Sequence, residues 1–206
     1  MKDLLFIFSF CVFITLSSCG NSSVKIDPNL SAEEAKAVVL TEKSLPGGSK
    51  IESYQVVVST LPLALLDNEY KNLRDEANKA RLDYRTNMTR GLPQIAQKNL
   101  ETLQNIQNTI VEKSKNLEKS SPEYIFVLAD VKEKNRRDNN LTGFIAVYDP
   151  KSLEQVDLLQ VTTPLYNNAV MVTEALEGNL SNPEKGNEII TSNNPIVDFI
   201  LKSNPK

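Results

Sequence analysis

Residues 123–149, EYIFVLADVKEKNRRDNNLTGFIAVYD, decide the fold. Glu123–Lys134 is rich in β-branched and aromatic residues, and Tyr124, Phe126 and Leu128 fall on one face of an extended chain, because strand side chains alternate. Asn135–Asn140, NRRDNN, is polar and turn-forming. Leu141–Asp149, LTGFIAVYD, is the return strand, so the segment reads as an antiparallel hairpin. Asp149-Pro150-Lys151-Ser152 then turns the chain into Leu153–Thr162, a third antiparallel strand.

Upstream, Lys50–Thr60, KIESYQVVVST, is a further strand with Tyr54, Val56 and Val58 in alternation. Between it and Glu123 the period changes from two to between three and four. Leu63, Leu66, Tyr70, Leu73, Ala77, Ala80 and Tyr84 make a narrow apolar stripe on one helix, with Pro62 suited to its first turn. Leu92, Ala96, Asn99, Leu103, Ile106, Ile110 and Leu117 make a second stripe, flanked by Leu100. Thr89-Arg90-Gly91-Leu92-Pro93 interrupts them as a helix stop and restart. Two matching stripes joined by a short connection imply an antiparallel helical hairpin over residues 62–119. One long helix kinked at Pro93 is the alternative.

Before the first strand, Ser31-Ala32-Glu33-Glu34 is a capping box opening a helix that runs to about Lys43, with Ala35, Val38 and Val39 on one side. Leu45-Pro46-Gly47-Gly48 stops it. Asn167–Glu177 reads as a short helix. The tail 179–206 is rich in Asn, Ser and Pro and reads as irregular, with Ile196–Leu201 apolar enough to dock. The expected fold class is therefore α+β: an antiparallel sheet of about four strands packed on a helix, with the helical hairpin inserted, in a single domain over residues 31–178.

The amino terminus carries an address. Met-Lys-Asp is followed by Leu4–Leu16, LLFIFSFCVFITL, without charge or helix breaker. That run is shorter than the ~20 apolar residues of a membrane span and has the length of a secretory signal core. Leu16-Ser17-Ser18-Cys19-Gly20 resembles the lipobox of bacterial lipoproteins. The resemblance implies removal of residues 1–18 as a signal peptide, diacylglycerol on the Cys19 thiol and acylation of its new amino group. A secreted protein cut beyond Cys19 is the bland alternative. Two or more acyl chains anchor a protein stably where one does not, so the expected partner at Cys19 is membrane lipid. Gly20 stands where an Asp would imply inner-membrane retention, which makes the outer membrane, facing the periplasm, the expected location. Residues 19–30 read as the lipidated cysteine and a short polar tether.

Composition narrows the chemistry. The chain has no histidine, and its two cysteines are Cys11, within the signal, and Cys19. Ser–His and Cys–His nucleophile systems are excluded, as are the nitrogen and thiolate ligands that most zinc sites use. The net charge is −3; a nucleic-acid binder would be distinctly basic, so no nucleic acid is expected. Pro46-Gly47-Gly48 lacks the Lys and Ser/Thr of a nucleotide loop, and no cofactor is expected.

Two features remain as candidate sites. Lys134, Arg136 and Arg137 in the polar loop Lys132–Asn140 suit contact with an anion or a partner, Arg by bidentate pairing; a solvated hairpin tip is the plain alternative. The acids, among them Asp75 and Glu76 beside Lys79, sit at helical surface spacing, as in ordinary charge compensation. Glycoside hydrolysis needs only two nearby carboxylates, so a carboxylate-dependent hydrolase of glycan or cell wall stays open beside the leading expectation. That expectation is a non-catalytic lipoprotein binding another envelope component, a protein. Tyr124–Asn135, ending in Lys-x-Lys-Asn, together with Gly143–Asp149 resembles small cystatin-like lipoproteins of Bacteroidetes. This implies a helix packed on an antiparallel sheet and transfers no activity.

Overall fold

The computed structural model describes residues 24–134, 140–182 and 191–203. Among these residues the chain is α+β. Helix α1 (Ala32–Ser44) precedes strand β1 (Lys50–Thr60) and a short 3₁₀ turn (Leu63–Leu65). Helices α2 (Asp67–Thr89) and α3 (Pro93–Ser120) follow, then β2 (Glu123–Lys132), β3 (Thr142–Tyr148) and β4 (Gln155–Gln160). Helices α4 (Thr163–Leu176) and α5 (Pro195–Ser203) complete the order. The sheet runs β1-β2-β3-β4, antiparallel throughout, with an irregularity in β1 between Ile51 and Ser53.

Strands β2 and β3 are apolar almost without interruption because both faces of the sheet are covered. On one face Ile125, Val127, Ala146 and Tyr148 pack with Ala37 and Val38 of α1. Phe126, Leu128, Ile145 and Val147 on the other face share a core with the 3₁₀ turn and with α2, α3, α4 and α5. The sequence reading assigned one covering helix, α1, and the second layer is the larger. The capping box is present: the Ser31 N–H donates to Glu34 Oε2 at 2.8 Å and the Glu34 N–H to Ser31 Oγ at 3.2 Å. The buried side of α1 is Ala37, Val38 and Thr41, turned from the expected Ala35 and Val39. The Thr41 hydroxyl meets the Tyr148 hydroxyl at 3.0 Å beneath it.

The two long helices form a hairpin, and the kinked-helix alternative is excluded. Gly91 takes the left-handed conformation, φ +70°. The Leu92 N–H donates to the Asn87 carbonyl and the Gly91 N–H to the Met88 carbonyl, at 2.9 and 3.1 Å. That double bond pattern ends a helix and reverses the chain. Tyr70, Ala77, Ala80 and Tyr84 of α2 and Ala96, Leu103, Ile106 and Ile110 of α3 are buried, as the stripes required. Leu92 is an exception, exposed at the turn. The first helix also begins later than Pro62 implied, because Leu66 (ψ 80°) separates the 3₁₀ turn from α2.

Two boundaries change. Residues 24–30, read as tether, lie on the domain: Val24, Ile26 and Leu30 pack against the α1 side of the sheet. Within the tail read as irregular, Leu180 is fully buried and α5 is a capped amphipathic helix. Asn194 Oδ1 accepts from the backbone of Ile196 and Val197 at 3.0 and 3.2 Å. Apolar burial overrides the turn-rich composition here, since Ile196, Val197, Ile200 and Leu201 all join the main core. Its last residue sits against Gly143, where an added Cβ would lie 2.6 Å from Ser203 Oγ and 3.0 Å from Val161 Cγ2. Helix α4 starts at Thr163, one turn before the expected Asn167.

Candidate functional site

The chain enters the described region along the edge strand β1. Tyr54 projects from β1, and its hydroxyl accepts the Asp27 N–H at 2.8 Å while donating to the Lys25 carbonyl at 3.2 Å. Asp27 starts a turn: its carboxylate accepts from the backbone and the side-chain amide of Asn29, each at 2.9 Å, and its carbonyl accepts from the Leu30 N–H. Ser31 then caps α1. The segment from Val24 to α1 is thus held by one tyrosine hydroxyl, one aspartate turn and the apolar side chains of Val24, Ile26 and Leu30. Val24–Pro28 and Ile51–Tyr54 enclose a shallow cleft of about 500 Å³.

A second cleft of about 550 Å³ adjoins the first through Glu52 and is lined also by Gly48, Lys50, Lys132, Glu133 and Lys134. Sheet register creates it, since Lys50 and Lys132 are directly paired across β1 and β2. Lys134 reaches back over Gly48, whose missing Cβ leaves room: a Cβ there would lie 2.7 Å from Lys134 Cδ. Glu133 Oε1 accepts the Thr142 hydroxyl at 2.7 Å, which turns its carboxylate toward β3. Lys25, Lys50, Lys132 and Lys134 are all exposed. Among the described residues none of the four is ion-paired.

Of the loop residues singled out from sequence, Lys134 lies in this second cleft, while Arg136 and Arg137 lie outside the described residues. Cys19 also lies outside them. Sequence reasoning missed Lys50, which no periodicity connects to Lys132; only the strand register does so. It also missed the hydroxyl of Tyr54, read as an apolar position of an alternating strand. Nothing in composition marks a tyrosine that holds a segment 27 residues upstream.

The remaining polar contacts seat the hairpin on the domain. Arg74 Nη1 donates to Asn168 Oδ1 at 2.9 Å, and Arg81 Nη2 to Glu174 Oε2 at 2.6 Å, joining α2 to α4. Gln107 Oε1 accepts from the backbone and hydroxyl of Ser181 at 3.3 and 3.2 Å. At the hairpin turn, Met88, Leu92 and Ile95 are 46%, 42% and 48% exposed, so the apolar stripes run past the region that they bury. Among the described residues no group of three or more acids, cysteines or histidines could hold a metal ion, and no helix is long and apolar enough to cross a membrane. No family model matches the chain, and no curated protein or solved structure matches it.

Proposed function

We propose that the chain is a lipid-anchored lipoprotein of the cell envelope. Its domain acts as a non-catalytic module that binds another envelope component, a protein. The anchor is diacylglycerol on Cys19, and the location is the outer membrane, facing the periplasm, with Gly20 following the cysteine. Support for the anchor is the signal core Leu4–Leu16 running into Leu16-Ser17-Ser18-Cys19. The binding reading is carried by the joint exposure of Met88, Leu92 and Ile95 at the hairpin turn. Three large apolar side chains within one turn of the chain are more than isolated surface residues, and clustered apolar exposure marks interaction surfaces.

Two experiments test this. Cys19→Ala should abolish signal cleavage and lipid labelling; an unaltered, lipid-labelled membrane protein would overturn the anchor. A photo-crosslinking residue at position 92 should yield one discrete protein adduct in cells, whereas the same residue at exposed position 79 should not. Equal or absent crosslinking at both positions would count against a hairpin-mediated partner. A second reading, a carboxylate-dependent hydrolase, draws on one observation: Glu52 and Glu133 line the same cleft. It requires that Glu52→Gln abolish release of sugars from cell wall or glycan.

A further inference from the structure

Residues 24–30 lie on the domain without entering its interior, and none of the seven is buried. Among the described residues their backbone bonding is local, Leu30 N–H to the Asp27 carbonyl, and no backbone bond joins them to a strand. Their polar hold on the sheet is a single atom, the Tyr54 hydroxyl, shared by Asp27 and Lys25. Val24, Ile26 and Leu30 pack at the margin of a cluster whose buried members, among them Val38, Val127 and Tyr148, belong to α1 and the sheet. The first cleft, between this strap and β1, keeps the two from closing on each other. Beyond Leu30 the attachment changes in kind: Ser31 and Glu34 cap α1 reciprocally, and Ala37, Val38 and Thr41 are buried. Undocking of the strap therefore stops at Ser31. It gives up two hydrogen bonds and half-exposed apolar contact, and it returns the backbone freedom of seven residues. Segments with few buried contacts and exposed hydrogen bonds open locally, well below the free energy of global unfolding.

The same strap leads to Cys19, and the inference rests on the anchor proposed above. While the strap is docked, residues 19–23 are the spacer between the acylated cysteine and the domain, and they span at most about 17 Å. Once it is released to Ser31, the spacer is residues 19–30, which span up to about 40 Å. A pull on Cys19 loads Val24 first, then the Lys25 and Asp27 bonds to Tyr54 in turn, and Leu30 last. The strap thus peels contact by contact while α1 and the sheet stay folded. We propose that residues 24–30 are a detachable strap, latched by Tyr54, that gives the anchored domain two tether lengths. Docked, it holds the domain close to the bilayer; released, it more than doubles the reach of the hairpin turn toward a partner.

The test uses the lipidated full-length product reconstituted into phosphatidylcholine vesicles. Amide hydrogen exchange of the wild type is read first. Asp27 should exchange about 100-fold or more faster than Val127 in the central strand β2, at a rate that low urea does not change. Tyr54→Phe should also speed Leu30 several-fold, although the bond from Leu30 to Asp27 is untouched, and should leave Val127 protected. Reach is read by energy transfer from a fluorophore on Lys79→Cys, the free thiol of the lipidated chain, to acceptor lipids in the outer leaflet. Combining Tyr54→Phe with Ile26→Ser should lower that transfer about twofold. Exchange of Asp27 only at the rate of Val127, or unchanged transfer in the double variant with Val127 still protected, would overturn the strap while leaving the anchor intact. Failure of the protein to float with vesicles would remove the anchor, and the two tether lengths with it.

Discussion

Arg81 of α2 and Glu174 of α4 meet at 2.6 Å, in a partly buried ion pair that fastens the helical hairpin to the rest of the domain. The pair lies two turns along α2 from Arg74, whose guanidinium donates to the fully buried Asn168. A charged seam can replace apolar packing here because each partner is hydrogen-bonded, which limits the desolvation penalty. Arg81→Ala and Glu174→Ala should each destabilise the fold, and a double-mutant cycle should give a coupling of about 1 kcal/mol. Additive losses in urea unfolding would mean that the pair contributes only local packing.

Tyr148 joins α1 to the sheet through Thr41 and titrates accordingly. Burial pushes its hydroxyl above the ordinary tyrosine value of 10.0, against the smaller opposing effects of hydrogen bonds with Thr41 and Ser44. The folded state thus holds the proton more tightly than the unfolded chain. Its contribution to stability is complete below pH 10 and declines as pH rises from the unfolded value toward the folded one. Tyr148→Phe should flatten the alkaline limb of the stability curve and cost about 1 kcal/mol at neutral pH. Thermal unfolding between pH 8 and 12 checks both; an unchanged alkaline limb would contradict the assignment.

Gly143 is required for space. Its backbone is ordinary, but a methyl group there would press on Ser203 and Val161. Gly143→Ala should cost about 1–3 kcal/mol by forcing α5 outward. Adding Ser203→Ala removes the closest atom and should recover part of that loss. Hydrogen exchange of the α5 amides reports the displacement, and full recovery by a change elsewhere in α5 would contradict the steric account.

Tyr54→Phe removes the hydroxyl that both accepts from Asp27 and donates to Lys25. With Val24, Ile26 and Leu30 still available to pack, the cost to global stability should stay near 1 kcal/mol. The local effect should be larger: tryptic cleavage after Lys25, measured on the folded protein, should accelerate several-fold. Cleavage at the wild-type rate would show that apolar contact alone holds the segment.

Local patterns revealed the strands and helices because each has its own period. The alternation Tyr124, Phe126, Leu128 and the three-and-four spacing from Tyr70 to Tyr84 both reappear as buried faces. What stayed hidden depended on contacts distant in sequence. Val57 packs on the main core although its neighbours Val56 and Tyr54 face α1, because both faces of the sheet are covered there, whereas Val58, expected on the face of Tyr54 and Val56, is 48% exposed. Residues 24–30 look like a polar tether since only Val24, Ile26 and Leu30 are apolar, and their value depends on Tyr54 waiting opposite. The lysine cleft needs the pairing of Lys50 with Lys132, a register that composition cannot supply. Lys132 and Lys134 were visible, as the Lys-x-Lys end of the strand.

The docking of α5 also bears on when the molecule can become itself. One apolar cluster runs from Leu63 to Leu201, so side chains far apart in sequence meet in it. Contacts of such long sequence separation raise the entropic barrier and slow folding. A chain emerging amino terminus first holds the sheet and hairpin before the helix that closes over Phe126 and Ile145, and its main core stays loose until α5 arrives.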